Sequence, residues 1–480
     1  MTDRLTAYLG GTRIGWFTQT GSGITFRFDD AWRAVAQRAE LSQSMPKSRR
    51  DHTGSAPVNF LWNLLPDNTA VLERWGSRFG VSARNPMALL EHVGLDAAGA
   101  IQLTSRDEPR LEGPSRREPI TDAEIAAHLR ELRVDPDAWL IPGYTRGRFS
   151  LAGAQPKFAL SKTETGWAVP SGRAASTHIV KPGIRGLDLS ALNEHLSLRA
   201  ASLLGIDAAT TQIVAFEDQI AIASERFDRT VGPRNVIARV HQEDLAQATG
   251  RHPANKYQNE GGPGIREIAD VLRATRGRDV ESSVQRFFEA ALFNWVMLGT
   301  DAHSKNYALL HDQSRGPRLA PLYDVASALP YPDLNDRRAR LSMSFGGHYR
   351  PAEISRRHIE AEASGAGLDP EWAIARAGEL VDGIAHAYDQ AAREAELKGA
   401  DAAFAARMVD NADAHAQRLR SELDRTTGSR RAQPSAAVPT TAAQPSATQR
   451  RTSQPRNKDV GGTGNPGSFA AKRSRGGRTS

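Results

Sequence analysis

An aspartate, an asparagine and a second aspartate stand in this chain in an order that suits the handling of phosphate. Gly299-Thr300-Asp301-Ala302-His303-Ser304-Lys305-Asn306 follows an apolar run, and a strand-like YALLH then leads through a turn to LAPLYDVASAL, which holds Asp324. Phosphoryl transfer needs one carboxylate to hold the acceptor hydroxyl, and an amide with a second carboxylate to hold metal ions over the phosphates. Asp301 suits the first task; Asn306 and Asp324 suit the second. His303 is a further catalytic candidate and Lys305 a candidate contact to the terminal phosphate. A polar loop whose Asp and Asn only serve turns would read the same way locally. Upstream, Ala152-Gly153-Ala154-Gln155 is a small-residue turn that would let backbone amides approach phosphates closely. Lys181 ends the apolar run HIVK, where its cation can reach the phosphates, and Glu194 on the following helix can pair with it. Glu225-Arg226-Phe227 closes a hairpin where a backbone hinge would meet adenine. Neither a Walker A pattern nor a G-x-S-x-G elbow is present.

Such a constellation needs a frame, and the periodicity supplies one. FSLAGAQPKFAL, THIVKP and TTQIVAFEDQIAIASERF read as strands, the last a hairpin turning at Glu217-Asp218, with a helix over 192–204 between them. After about residue 230 the chain reads as mostly helical. Val284, Phe287, Phe288, Ala291, Leu292, Trp295 and Val296 form a wide apolar stripe, so the helix leading into Asp301 is expected in a core. The first hundred residues read as a small α+β unit: LTAYLGGTRIGWF and GITFRF as strands, NFLWNLLPD and NPMALLEHVG as helices, the second capped by Asn85 with Pro86 at its first position. Thr121 and Glu124 have capping-box spacing at the start of another short helix. The proline- and charge-rich Arg106–Pro119 reads as a break.

Composition narrows the function classes. The chain has 480 residues, enough for two or three cores, and no cysteine, which removes thiolate nucleophiles, Cys-ligated zinc and iron–sulfur clusters. No apolar run of roughly 18 residues occurs, so no membrane span is expected. The N-terminus is polar, so a cytoplasmic protein is expected. Eleven Lys/Arg and one acid, Asp459, lie from Arg425 onward, so the net +7 of the chain leaves residues 1–424 at −3. Basicity belongs to an appendage, and a general nucleic-acid-binding face on the body is not expected.

Asp301, Asn306 and Asp324 have the spacing at which protein kinases place the catalytic Asp, the metal-binding Asn and the second metal Asp, and the D-x-H-x-x-N order also resembles the loop of phosphatidylinositol-type lipid kinases. The ordered set SLAGAQPK, HIVKP, NEH, ERFDR, QEDLAQ, KY before GGPGI, TDAHSKN and PLYDV resembles the HipA family, kinase toxins of bacterial toxin–antitoxin modules, over about residues 1–420. NLLPD at 63–67 looks like part of that family's extra N-terminal subdomain. The resemblance implies an α+β, two-lobed protein-kinase-like fold: an N-terminal subdomain over 1–105, a linker and short helix over 106–148, a strand-rich lobe over 149–229, a helical lobe over 230–424, and a basic tail without fixed structure over 425–480. It implies an ATP- and Mg²⁺-dependent serine/threonine kinase that phosphorylates an aminoacyl-tRNA synthetase, most often the glutamyl enzyme, and so arrests growth. Asp301 would be the base, with His303 beside it, and Asn306 and Asp324 would bind Mg²⁺. Lys181 would contact the phosphates, Ala152, Gly153, Ala154 and Gln155 with Lys157 would form the phosphate loop, and Glu225 and Phe227 would lie at the adenine. Ser150 matches an autophosphorylated serine. A small helix-turn-helix antitoxin, HipB-like, would be the partner and would carry operator DNA binding. Pro156 replaces the family's common acidic residue, and the tail has no counterpart in its pattern. A small-molecule kinase of the same fold and a catalytically silent co-repressor scaffold are the competing expectations; the second would be expected to have lost Asp301, Asn306, Asp324 or Lys181.

Overall fold

Adjacent glycines, Gly10 and Gly11, sit at φ +57° and +76° and turn β1 (Arg4–Leu9) back into β2 (Thr12–Thr20). A two-residue hairpin loop with positive φ at both positions favours that pair. The computed structural model describes residues 3–36, 38–144, 149–232, 236–275, 277–312, 316–334 and 338–425, and the expected tail beyond Arg425 lies outside them. β3 (Gly23–Phe28) leads through α1 (Asp30–Arg33) to β4 (Asp51–His52). The helices α2 (Ser55–Asn63), α3 (Thr69–Phe79) and α4 (Pro86–Val93) precede β5 (Ile101–Thr104), and the sheet runs β4-β3-β2-β1-β5, all antiparallel. Asn85 caps α4 as its spacing predicts, accepting from Met87 N and Ala88 N.

β6 (Ser115–Ile120) and α5 (Asp122–Val134) come next, α5 carrying the expected capping box. β7 (Phe158–Thr163), β8 (Gly166–Gly172), β9 (His178–Pro182), α6 (Ser190–Leu203), β10 (Thr211–Phe216) and β11 (Gln219–Glu225) follow, giving a second sheet in the order β10-β11-β9-β7-β8-β6. Two readings of this region are corrected. The stretch read as a break carries β6, whose exposed, charged residues pair with β8 at the sheet edge, where no apolar alternation is needed. Conversely, the strand-like segments read on either side of the Ala152–Gln155 turn are shorter than expected: the loop extends over 151–157, β7 begins at Phe158, and Gly153 in the expected turn stands at φ +99°.

The remaining elements are β12 (Arg229–Val231), β13 (Ile237–Arg239), β14 (His241–Asp244), α7 (Leu245–Ala248), α8 (Ile265–Ala274), α9 (Val280–Val296), β15 (Ala308–Asp312), β16 (Gly316–Leu319), α10 (Arg356–Gly365), α11 (Pro370–Glu394) and α12 (Gly399–Asp424). The layout is that of a two-lobed protein-kinase-like fold preceded by an α+β unit, with the small sheet β14-β15-β16 inside the helical lobe.

Two cores organise the whole. One joins the first unit to the second sheet, with Phe17, Phe26, Phe60 and Trp75 packed in the same cluster as Trp139, Phe158, Val180 and Phe216. The other centres on α9, where from Phe287 to Val296 only Glu289 keeps appreciable exposure. Each large apolar side chain so buried contributes about 1.5–3 kcal/mol. α6 belongs to this second core through Leu192, Leu196, Leu198, Ala200 and Ala201. Asn193 Nδ2 donates to Ser327 O at 2.7 Å, and Ser327 N donates to Asn193 Oδ1 at 2.9 Å. The helix read with the strand-rich lobe is thus tied to the helical one. Among the described residues no helix is long and apolar enough to cross a membrane.

Candidate active site

α9 ends at Val296 while the chain stays buried through Thr300. Leu298 turns to φ +56°, Gly299 N donates back to Asn294 O at 2.7 Å, and a Cβ on Gly299 would lie 2.1 Å from Asn294 Oδ1. Any residue but glycine would displace the Asn294 side chain at this exit, which delivers Asp301 at the end of the helix that centres the second core. The loop then closes on itself: His303 N donates to Asp301 O, Asn306 N to His303 O, and Asn306 Nδ2 to Asp301 O at 2.8 Å. Asn306 Nδ2 also approaches Asp324 O at 3.4 Å, so the chain that leaves through β15 and β16 returns to the same point. Asp324 is held at φ +57°, a costly conformation for a residue other than glycine.

Lys181, on β9, lies between two carboxylates, 2.7 Å from Glu194 Oε1 and 2.8 Å from Asp324 Oδ1. Burial works against its charge, but Asp324 and Glu194 outweigh it and raise its pKa above the usual lysine range. Asp324 is likewise opposed by burial, yet Lys181 and Lys157 hold it well below the usual carboxylate range. For Glu194 burial prevails and its pKa is raised. The trio can hold a cationic contact and an ionised metal-binding carboxylate against the same ligand.

The phosphate-loop candidates, Ala152, Gly153, Ala154 and Gln155, line the same cleft. Lys157 backs the loop from beneath, its Nζ donating to Ala152 O at 2.7 Å and lying 5.6 Å from the Trp139 ring centre. Burial above all, and the nearby Lys181 cation, push its pKa down to about 8 against the pull of Asp324. Ser150, which precedes the loop, is fully buried; its Oγ donates to Leu64 O at 2.7 Å and its N to Asp96 O at 3.0 Å.

At the lobe junction Glu225 N donates to Thr210 O and Arg226 N to Thr177 O, so both amides are already used within the protein. Phe227 lines the cleft with its ring centre 5.3 Å from that of Tyr323. Arg226 forks onto Asp228 at 3.0 and 2.7 Å and also donates to Ala97 O, fixing the hinge to the N-terminal unit.

His303 is buried with its edge toward Tyr257, centres 5.0 Å apart, and its Nδ1 has no hydrogen-bond partner among the described residues. Burial first, then Lys256, keeps it neutral, its pKa well below the ordinary value. Tyr257 OH donates to Asp301 Oδ1 at 2.5 Å. Asp244, whose side chain caps α7, is pushed up to about 7, chiefly by burial. Tyr257, Lys256, Asp244 and Asp67 are the site residues that sequence reasoning gave no role. The contacts that bring Tyr257, Lys256 and Asp67 to the site span more than forty positions, whereas the Asp244 side chain accepts from Gln247 N only three residues on.

No three His, Cys, Asp or Glu gather into a metal cluster among the described residues. What the cleft offers is oxygen donors on Asn306 and Asp324, hard ligands of the kind that hold Mg²⁺ together with phosphate oxygens. The donor set fits that ion.

Comparison with known proteins adds to this geometry. A family model described as a HipA-like C-terminal domain matches residues 149–388, and one described as a HipA N-terminal domain matches residues 5–104. The serine/threonine-protein kinase toxin HipA of Shewanella oneidensis is 31% identical over 381 residues, spanning 76% of this chain and 83% of that protein. Y4mE of Sinorhizobium fredii, named a candidate kinase, is 34% identical over 385 residues, spanning 80% of this chain and 90% of its own length. A solved structure of Shewanella oneidensis HipA, in a complex of HipA, HipB and operator DNA, matches with a TM-score of 0.75 and 27% identity, covering 88% of this chain and 98% of that one.

Proposed function

This chain belongs to the HipA family, and on that premise we propose that it is an ATP- and Mg²⁺-dependent serine/threonine protein kinase acting as the toxin of a toxin–antitoxin module. The observation that carries the reading is Lys181 held between Glu194 and Asp324, with Asp301 and Asn306 on the adjoining loop. Asp301 accepts the proton of the attacking hydroxyl, and neutral His303 shapes the pocket beside it. Asn306 and Asp324 would hold Mg²⁺, whose charge would offset that of the phosphates when the ion is bound. Lys181 and the loop from Ala152 to Gln155, backed by Lys157, hold the phosphates. Phe227 and the backbone around Glu225 receive the adenine; the amides of 225 and 226 are engaged and Arg226 O accepts from Arg229 N, so the ring and the rest of that backbone make the contact.

The remaining parts of the proposal follow the family. The substrate is an aminoacyl-tRNA synthetase in the cytoplasm, self-phosphorylation falls on Ser150, and a HipB-like helix-turn-helix antitoxin links the chain to operator DNA. The Shewanella complex of HipA with HipB and operator DNA supports the last point. Incubating the purified protein with labelled ATP and a bacterial lysate tests the function. One labelled protein besides the kinase itself is the expected outcome. A labelled small molecule would replace the substrate class, and no label in any product would leave a co-repressor scaffold as the reading.

A further inference from the structure

The turn after α2 reaches the catalytic loop across the cleft. Pro66 pairs in parallel with Gly153, and Asp67 N donates to Gly153 O at 3.0 Å, so residues 64–67 run alongside the phosphate loop. The Asp67 carboxylate accepts from Lys305 Nζ at 2.7 Å through one oxygen and from Lys256 Nζ at 2.8 Å through the other. Both lysines are attached to the proposed chemistry. Lys305 precedes Asn306, while Lys256 O accepts from Ser304 N and Oγ and the next residue, Tyr257, donates to Asp301.

Two ammonium groups, that of Lys305 buried and that of Lys256 nearly so, therefore stand side by side because a carboxylate from the N-terminal unit lies between them. Without it they would repel one another and lose their counter-charge where water cannot replace it. Burial works against the Lys256 charge, and Asp67 first and then Asp301 hold it protonated. A transferring phosphoryl group spreads negative charge over three peripheral oxygens, and fixed cations aimed at that charge stabilise it without having to reorganise. Resting on the kinase reading above, we propose that Asp67 is a positioning residue that fixes Lys256 and Lys305 for the terminal phosphate of a bound nucleoside triphosphate. The N-terminal unit is on this account a part of the active site.

A mere staple between units would hold the fold without discriminating between nucleotides, so the test reads discrimination. Dissociation constants for ADP and for a non-hydrolysable ATP analogue are measured with Mg²⁺ on the wild type, Asp67→Asn and Asp67→Glu. Asp67→Asn is expected to lower the preference for the triphosphate about tenfold, some 1.4 kcal/mol, with ADP affinity within about twofold of wild type. Asp67→Glu should recover part of that preference. Lys256→Met leaves Asp67 its contact with Lys305, and so the staple, yet should lower the same preference. An unchanged preference overturns the proposal. Equal weakening of both nucleotides, or an Asp67→Asn protein that binds neither, also overturns it in favour of the staple. Binding is read here without turnover, so a protein that failed to transfer phosphate would sink the kinase reading while this preference still decided the role of Asp67.

Discussion

Replacing Lys157 by methionine probes the charge beneath the phosphate loop. The lysine is buried, and its pKa falls from 10.5 to about 8, chiefly through burial and also through Lys181. That fall corresponds to roughly 3 kcal/mol by which the folded protein disfavours the charged form. Between about pH 8 and about pH 10.5 the unfolded chain still binds this proton while the folded chain does not, so stability rises with pH across that window. Below about pH 8 the penalty is present in full. Lys157→Met carries no such penalty, but it loses an ammonium-to-carbonyl hydrogen bond worth about 1.5–3 kcal/mol. The two terms oppose each other, so near neutral pH the two proteins should lie within about 2 kcal/mol of one another. Towards about pH 10 the wild type should gain on the variant by up to about 3 kcal/mol. Urea unfolding of both proteins at several pH values between these limits measures the difference. A gap that stays constant with pH would refute a buried, destabilised ammonium at this position. Bound phosphates would hold the proton on, so nucleotide affinity of the wild type should also weaken above about pH 8, and that slope should be absent in Lys157→Met.

Three further outcomes are expected. Asp301→Asn should keep ATP binding nearly intact while cutting transfer by ~10²-fold or more, the scale of a lost positioned base; wild-type transfer by the variant would show the base to be elsewhere. Asp324→Asn should raise the Mg²⁺ needed for nucleotide binding by at least the ~10-fold that losing even an outer-shell partner costs, and an unshifted Mg²⁺ titration would count against metal binding there. Ser150→Ala strands the Leu64 carbonyl and should cost about 1–3 kcal/mol in unfolding experiments, while mass spectrometry should find no self-phosphorylation; phosphate elsewhere on the variant would move the modification site.

Much of this site was legible because its chemistry is local in sequence. The spacing of Asp301 and Asn306 survives into a loop that closes on itself through Asn306 Nδ2, and the apolar stripe of 284–296 marks the helix that delivers it. Lys181 and Glu194 were readable as a pair because a strand end and the next helix bring them together within thirteen residues. Asp67 was not, since its lysine partners lie 189 and 238 positions away and local pattern carries no trace of them. β6 escaped notice because an edge strand with exposed side chains has no apolar alternation to read. The flanks of the turn at 152–155 passed for strand because apolar residues border it, although β7 begins only at Phe158. The placement of α6 followed from partners in α11 and around Ser327 that come more than a hundred residues later.

The membership of α6 in the helical core changes what the Lys181 contacts mean mechanically. Lys181 rides on the sheet, whereas Glu194 is pinned through its neighbours Asn193 and Ser197 to Ser327 and Tyr388, and Asp324 belongs to the same helical body. The two ion pairs thus act as a clasp between the halves at the cleft, beside the ties that the N-terminal unit makes to the helical lobe through Asp67. Opening the jaws must pull a buried cation from both its anions at once, a separation of the kind that costs several kcal/mol. Closure of the jaws and alignment of the phosphate contact are therefore one event, with the clasp as its latch.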